Sequence, residues 1–233
     1  MNQGKKSMNL IYWDMDGTLI DTGVAGRLAT EAIFKRHGKD AVPEIIISES
    51  GKTDTYICWQ FYIALHNRVP SLKELDAFCF EYETEIVKQM AKLNASLLDN
   101  VQNILEELQK KENWMCLLIS GNRRNGVINK LKLLGIDKYF NIENSVFGDN
   151  YFTKRAMARD ALKQSEKRWG ESSRRIVVGD APMDIICGNI MGAETISVAT
   201  GIYNVQTLSK CRPTRVYEAL PSAKQFFNDL HII

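Results

Sequence analysis

Between residues 97 and 198 of the chain, short apolar runs alternate with longer segments of helical periodicity. The predicted strands cover residues 115–119, 145–147, 176–178 and 195–198, and the helical segments cover 97–111, 123–134, 153–169 and 182–191. Short, nearly continuous apolar runs are typical of strands that are buried on both faces. Strands that alternate with helices predict an α/β fold with a doubly wound parallel sheet and helices on both of its faces.

A pair of acids follows another apolar run near the start of the chain. Residues 10–13 are apolar, and Asp14, Asp16, Gly17 and Thr18 come directly after them. Residues two apart on an extended chain share a direction, so both carboxylates are expected to leave the sheet on one side. Two like charges at short distance are costly without a cation or a proton between them. The pair therefore indicates a metal site or an acid/base site, with a polar turn as the simpler alternative.

Two further strands are predicted to end in polar residues. Ser120 follows the run 115–119, and Gly179 and Asp180 follow the run 176–178. In doubly wound sheets, ligands bind outside the carboxyl ends of the strands, so Asp14, Ser120 and Asp180 are expected at one edge. Asp184 lies four residues after Asp180, in the first turn of a helix, and can share its direction. The alternative is that these acids only favour the positive end of that helix.

Two groups near this edge are candidates for binding an anion. The Ser120 hydroxyl and the backbone N–H groups of Gly121 and Asn122 can form a small nest, although the same three residues also make an ordinary turn. Lys154 begins a helix after a predicted Thr153 N-cap, where a cation and free N–H groups suit an anion. Arg155 is the alternative cation, and a solvated surface position is the simpler interpretation for either residue.

Residues 23–96 show three apolar stripes at helical spacing and no convincing strand. They predict an all-helical cap domain, inserted after the first strand, with residues 1–22 and 97–233 forming the catalytic core. The expected linkers are residues 21–23 and 94–98. A helical lobe on two linkers above a polar edge suits a lid, and a static second lobe is the alternative.

Composition excludes several classes of protein. The chain has 233 residues, of which 45% are apolar and 25% charged, and its formal charge is +2. No basic run exceeds two residues, which predicts no nucleic-acid partner. No apolar stretch has the length of a membrane span, and a cytoplasmic location is expected. The cysteines are odd in number and lack CxxC spacing, which argues against a disulfide framework and against zinc.

Taken together, these motifs resemble those of the haloacid dehalogenase-like superfamily, in order and in spacing over nearly the whole chain. The first motif is Asp14-x-Asp16-Gly-Thr18, the second Ser120, the third Lys154, and the fourth Gly179-Asp180-x-x-x-Asp184. Within the superfamily the chain resembles the phosphoglycolate phosphatase and β-phosphoglucomutase-like branch, which implies a Rossmann-like core with a helical cap. The run 50–54 resembles a cap loop that faces substrate in some relatives, which implies specificity roles for Lys52 and Asp54.

The resemblance implies a Mg²⁺-dependent phosphatase that acts on a small phosphorylated metabolite. Asp14 is then the nucleophile that forms an aspartyl-phosphate, and Asp16 is the general acid and base. The implied Mg²⁺ ligands are Asp14, the backbone carbonyl of Asp16, and Asp180, with Asp184 holding metal-bound waters. Lys154 is implied as the third catalytic residue, which binds the phosphoryl oxygens and stabilises charge in the transition state. The implied phosphate-binding residues are Ser120, Gly121, Asn122 and Thr18. The particular phosphate ester and the oligomeric state stay open.

Other reactions within the same family use related residues. A dehalogenase is disfavoured, because displacing halide needs no proton donor and Asp16 is present. A phosphomutase uses the same acids and returns the phosphoryl group to the sugar. A phosphonatase needs a cap lysine for a Schiff base, with Lys35 and Lys52 as candidates. A non-catalytic module that binds a phosphorylated metabolite is the alternative from another class.

Overall fold

The computed structural model describes residues 8–39, 41–42, 52–170 and 173–232. In chain order the elements are β1 (Asn9–Trp13), β2 (Ile20–Asp21), α1 (Ala25–Arg36), α2 (Asp54–His66), α3 (Leu72–Lys92), β3 (Ser96–Leu97), α4 (Val101–Gln109), β4 (Trp114–Ser120), α5 (Arg124–Leu133), β5 (Val146–Phe147), α6 (Lys154–Trp169), β6 (Arg175–Gly179), α7 (Pro182–Ile190), β7 (Glu194–Val198), α8 (Val205–Lys210), β8 (Arg215–Tyr217) and α9 (Ala223–Asp229).

Six of the strands form one parallel sheet in the order β5-β4-β1-β6-β7-β8. The sheet confirms the predicted doubly wound α/β core. Strand β1 lies in the middle, with Trp13 paired to Leu118 of β4 and to Val178 of β6. The chain fills the β4 side first and then crosses to the β6 side, so the order reverses at β1. Such a reversal opens a crevice at the carboxyl ends of the strands.

The alternation of side chains along β1 sorts the core into two layers. Leu10 and Tyr12 face helices α6 and α7 in one buried apolar cluster. Ile11 and Trp13 face the opposite side, in a cluster that includes residues of α4, α5 and α9. Because both faces are covered, the four buried residues of β1, 10–13, carry no charged side chain before Asp14. The functional carboxylates therefore come where the strand leaves the core.

Helices α1, α2 and α3, here called the three-helix segment, pack on one another through aromatic side chains. Phe34 of α1 contacts Phe61 of α2 edge-on, and Phe61 contacts Tyr82 of α3 in the same way. Thr53 caps the start of α2, and a capping box of Ser71 and Glu74 begins α3. The apolar residues of this segment belong to the same buried cluster as Ile11 and Trp13. The division into cap and core domains stays a prediction.

Two short strands that the sequence pattern did not indicate lie at the predicted linkers, β2 at the edge of one and β3 inside the other. Strands β2 and β3 pair antiparallel, with Ile20 opposite Leu97 and Asp21 opposite Ser96. The predicted helix over 97–111 therefore begins only at Val101, because Leu97 lies in β3 and Leu98 donates its N–H to Leu19 in the turn that follows. Two residues per strand are too few to produce an alternating pattern, so only the pairing reveals them.

The carboxyl-terminal part of the chain adds elements that were not predicted: α8, β8 and α9. Strand β8 has three residues at the sheet edge, and none of them is fully buried. Helix α9 has seven residues and buries Phe226, which stacks on Trp13 at a ring distance of 5.9 Å. In the part of the chain that the structure describes, no helix combines the length and the apolarity needed to cross a membrane.

Candidate active site

The three central strands of the sheet end next to one another and place their polar residues together. Asp14 follows β1 and donates its N–H to the carbonyl oxygen of Val178 in β6. Ser120 is the last residue of β4, and Asp180 follows the last residue of β6. All three side chains are buried. The predicted convergence of these strand ends is what the structure shows.

A cluster of three carboxylates surrounds the ammonium group of Lys154. The Lys154 Nζ lies 2.9 Å from Asp14 Oδ2 and donates to Asp184 Oδ1 at 3.0 Å. Asp14, Asp180 and Asp184 offer one oxygen each within 4.8 Å of one another. Arg155 is exposed, so the geometry favours Lys154 over Arg155 as the cation of the site. The amino-terminal and carboxyl-terminal acids therefore share one location.

Hydrogen bonds fix two of these acids from outside the cluster. The Thr18 hydroxyl donates to Asp180 Oδ1 at 3.2 Å, and the backbone N–H of Ala181 donates to Asp184 Oδ2 at 3.1 Å. Thr18 is fully buried, so in this arrangement its hydroxyl supports Asp180. Such contacts orient a carboxylate in the way that outer-shell partners orient metal ligands.

The electrostatics of the cluster suit a divalent cation. Burial raises the pKa of Asp14 to about 8, against the opposing effect of Lys154, and the charges of Asp184 and Asp180 add to the increase. Burial and the neighbouring Asp184 also raise the pKa of Asp180 to about 6. Asp14 and Asp184 in turn hold the pKa of the buried Lys154 well above its ordinary value. Three carboxylates with one ammonium group leave net negative charge, and oxygen ligands of this kind fit Mg²⁺.

Glycines make room for the acids of this cluster. Gly17 has φ +80°, and a Cβ there would lie 2.7 Å from Asp180 Oδ2. A Cβ at Gly201 would lie only 1.8 Å from the same oxygen. Thr200, next to Gly201, donates to the carbonyl oxygen of Gly17 at 2.6 Å and so joins the two glycine loops. The loop after β7 thus belongs to the site, which the sequence pattern did not indicate.

Asp16 lines the same cavity as Asp14, at the same end of the sheet, but its carboxylate has a different partner. Both of its carboxylate oxygens contact Lys130 Nζ, at 2.8 and 2.7 Å, on helix α5. Asp14 instead contacts Lys154 of α6, which packs on the opposite face of the sheet. The strand ladder continues to Asp14, whose N–H donates to the Val178 carbonyl oxygen, and the chain then turns, with the Leu19 N–H donating to the Met15 carbonyl oxygen. Asp16 therefore lies in the turn beyond the strand. The Asp16 side chain is therefore separate from the three-carboxylate cluster.

The loop after β4 is held against the start of helix α2. Ser120 Oγ accepts from the backbone N–H of Asn122 at 3.2 Å. The Gly121 carbonyl oxygen accepts from the Asp54 N–H at 2.9 Å, and the Asn122 side-chain nitrogen lies 3.1 Å from Asp54 Oδ2. Lys52 forms a backbone bridge with Thr153 and lies over the Tyr56 ring. Both predicted specificity residues, Lys52 and Asp54, are thus at the site, whereas residues 50 and 51 of that loop lie outside the described residues.

A cavity of about 570 Å³ opens between the strand ends and the three-helix segment. Its lining includes Asp14, Asp16, Asp180, Ser120, Lys154 and Asp54. Thr18 and Asp184 support the site without lining this cavity. Of the two lysines considered for a Schiff base, Lys52 lines the cavity and Lys35 is an exposed residue outside its lining.

Lys130 is a second functional candidate, besides the loop after β7, that the sequence analysis did not identify. A signal was present, because Lys130 lies three residues after Val127 and beside Leu131, on the buried face of an amphipathic helix. Its side chain is only 3% exposed, which is rare for an unpaired lysine. The partners that explain its burial, Asp16 and Asn122, come from other parts of the chain.

Two curated relatives resemble this chain over most of their length. Pyrophosphatase PpaX from Oceanobacillus iheyensis is 24% identical over 214 residues, which cover 91% of this chain and 93% of that protein. 2-Deoxyglucose-6-phosphate phosphatase 2 from Saccharomyces cerevisiae is 26% identical over 213 residues, which cover 83% of this chain and 81% of that protein.

The fold also resembles solved structures of the expected branch. An inferred beta-phosphoglucomutase from Bacteroides vulgatus superposes with a TM-score of 0.67 at 18% sequence identity, covering 97% of this chain and 90% of that one. At this identity the similarity shows the fold alone. A family model described as "Haloacid dehalogenase-like hydrolase" matches residues 11–198, from within β1 to the end of β7. The chain therefore belongs to the haloacid dehalogenase-like hydrolase family.

Proposed function

We propose that this hydrolase is a Mg²⁺-dependent phosphatase that removes the phosphoryl group from a small phosphorylated metabolite through an aspartyl-phosphate on Asp14. The observation that carries the proposal is the position of Asp14, buried at the end of β1 beside Lys154 and two further carboxylates. The two curated relatives, named as a pyrophosphatase and as a sugar phosphate phosphatase, support hydrolysis of a phosphoryl bond.

Asp14 would attack phosphorus in line, so that its carboxylate oxygen forms the new P–O bond as the bond to the leaving oxygen breaks. Asp16 would give its proton to the leaving oxygen and later take a proton from the water that hydrolyses the aspartyl-phosphate. The net reaction consumes one ester and one water and yields an alcohol and phosphate. Asp16 lines the same cavity as Asp14, which suits this division of roles.

Charge on the phosphoryl group would be stabilised by groups already in place. Lys154 and the loop of Ser120, Gly121 and Asn122 would face the phosphoryl oxygens, with the nucleophile at the centre. Mg²⁺, held by Asp14, Asp180 and the backbone carbonyl of Asp16, with Asp184 holding its waters, would supply further positive charge there. A phosphate-binding role for Thr18 stays a prediction, since its hydroxyl contacts Asp180.

The three-helix segment would act as the cap that selects the substrate. It contributes Asp54 and Tyr82 to the wall that faces the strand ends, and Lys52, just before α2, lies in the same wall. The start of α2 is fixed to the core by the Asp54 N–H and by the hydroxyl of Thr55, which donates to the Gly148 carbonyl oxygen at 2.8 Å. A leaving group would then lie between the acids at the strand ends and this wall.

The decisive experiment is phosphate release from a panel of phosphate esters, with and without Mg²⁺, by the wild type and by Asp14→Asn. We expect Mg²⁺-dependent release by the wild type and a loss of about three orders of magnitude or more in Asp14→Asn, because the nucleophile is removed. Asp99→Asn, at an exposed acid outside the cavity, is the matched control and should keep full activity.

Three outcomes would contradict the proposal in different ways. Substantial turnover by a folded Asp14→Asn protein would remove Asp14 as the nucleophile. Conversion of a sugar phosphate to its isomer without free phosphate would indicate a phosphomutase. Tight binding of phosphate esters without any turnover would indicate a binding module. Borohydride trapping with a phosphonoaldehyde would test the phosphonatase alternative, with Lys52 as the lysine in the cavity.

A further inference from the structure

Lys130 occupies an enclosed position with three oxygen acceptors around one ammonium group. Its Nζ contacts both oxygens of Asp16, at 2.8 and 2.7 Å, and donates to Asn122 Oδ1 at 3.0 Å. An ammonium group has three N–H donors and no acceptor, and these three oxygen atoms provide an acceptor for each donor. A lysine buried in this way is costly unless it is paired and hydrogen-bonded. The contacts therefore fix its position closely.

Asn122 is itself oriented by a second acid. Its side-chain nitrogen lies 3.1 and 3.3 Å from the two oxygens of Asp54, so its side-chain oxygen faces Lys130. Asp54 is buried, and its N–H donates to the Gly121 carbonyl oxygen. The contacts form a line from Asp54 on α2 through Asn122 to Lys130 on α5 and on to Asp16. Each member can take only one orientation that satisfies its neighbours.

We propose that Lys130 is a positioning residue for Asp16, and that Asn122 and Asp54 hold the Lys130 side chain in place. The inference rests on the proposed function, since Asp16 is the general acid there. The nucleophile and the acid each have their own lysine, Lys154 from α6 and Lys130 from α5, on opposite faces of the sheet. Lys130 contacts both oxygens of Asp16 in the structure. When substrate binds it would keep one of them while the other turns to the leaving oxygen, which would set the direction of proton delivery.

A double-mutant cycle of Lys130→Met and Asp16→Asn separates positioning from a merely structural role. Methionine keeps an apolar stem of similar length and removes the ammonium group. The probes are p-nitrophenyl phosphate, whose leaving group needs little protonation, and phenyl phosphate, whose leaving group needs more. Lys132→Met, at an exposed lysine on the same helix, is the matched control.

On phenyl phosphate we expect Lys130→Met to lower kcat by about tenfold or more, with a much smaller loss on p-nitrophenyl phosphate. The double variant should be no slower on phenyl phosphate than Asp16→Asn alone, because Lys130 acts through Asp16. Lys132→Met should match the wild type on both probes. Asp54→Asn, which leaves Lys130 in place, should show the same leaving-group bias in weaker form and keeps the proposal testable if Lys130→Met does not fold.

Equal losses on the two probes, or losses that add in the double variant, would overturn the positioning role while the wild type remains an active phosphatase. A wild type that releases no phosphate from either probe with Mg²⁺ would instead remove the proposed function, and this inference with it. The two failures are therefore distinguishable by the activity of the wild type.

Discussion

Gly201 shows how closely the loop after β7 approaches the acids of the site. The position has no side chain, and a Cβ there would meet Asp180 Oδ2 at 1.8 Å and Asp180 Cγ at 2.8 Å. An alanine would therefore push the Asp180 carboxylate away from Asp14 and Asp184. Since Asp180 is a proposed metal ligand, this displacement should weaken Mg²⁺ binding more than it lowers the stability of the fold.

Gly201→Ala should raise the Mg²⁺ concentration needed for half-maximal phosphatase activity by about tenfold or more, as outer-shell changes do at other metal sites. The measurement is phosphate release against Mg²⁺ concentration. Gly26→Ala is the matched control, because Gly26 also lines the cavity but a Cβ there meets nothing within 4 Å. An unchanged Mg²⁺ dependence in Gly201→Ala would argue against Asp180 as a ligand.

Residues that directly follow a strand end were predictable from the local pattern, whereas Lys130 and Gly201 were not. Asp14, Ser120 and Asp180 each follow an apolar run, so their shared edge follows from the parallel sheet alone. Lys130 and Gly201 owe their importance to contacts with Asp16 and Asp180, which lie 114 residues and 21 residues away in sequence. Local pattern carries no information about such partners.

At the scale of single elements, Thr53 joins the start of α2 to the core. Its hydroxyl accepts from the Tyr56 N–H as an N-cap and donates to the Tyr151 carbonyl oxygen. The side chain is fully buried, so neither group has water as a substitute partner. Thr53 lies between the two cavity residues Lys52 and Asp54, which makes its contacts part of what positions them.

Thr53→Ala should lower the free energy of unfolding by about 1–3 kcal/mol, from the lost cap and the unpaired carbonyl oxygen. Thr53→Ser keeps the hydroxyl and should recover most of that loss. Denaturant unfolding with an unchanged m-value is the measurement. A Thr53→Ala protein as stable as the wild type would mean that neither hydrogen bond contributes to stability.

Element boundaries were predictable where a capping signal was present. Thr153 caps α6 and Pro182 opens α7, as their positions in the sequence indicate. The start of α4 was placed four residues too early, because Leu97 and Leu98 continue its apolar spacing but lie in β3 and in the turn after it. Asn100, with φ 63°, breaks the helix there. Periodicity alone does not show such an interruption.

For the whole molecule, the buried acids predict a stability that depends on pH and on metal. The pKa values of Asp14, Asp180 and Asp54 are raised from 3.8 to about 8, 6 and 6 respectively, in each case mainly by burial. Between about pH 4 and pH 8 the folded protein then binds more protons than the unfolded chain. Stability from these groups is therefore present at low pH and is lost as the pH rises through that window.

Without divalent metal, the melting temperature should be lower at pH 8 than at pH 5.5. Mg²⁺ should raise it more at pH 8, because the ion binds the deprotonated carboxylates. Thermal unfolding in EDTA and in Mg²⁺ at both pH values is the test. Asp14→Asn, which removes the acid with the largest shift, should flatten the pH dependence in EDTA. A melting temperature that increases from pH 5.5 to pH 8 in EDTA would contradict the assignment.

The pairing of β2 with β3 has a consequence for how related chains can diverge in evolution. Ile20 and Leu97 are neighbours in space, so the polypeptide leaves the sheet layer and returns to it at one place. Material added or deleted between these two points, away from the start of α2 that contacts Gly121 and Asn122, therefore need not shift the strands of the main sheet. If this segment selects the substrate, as proposed, its size and side chains can diverge between relatives while the strand ends that hold Asp14, Ser120 and Asp180 stay the same.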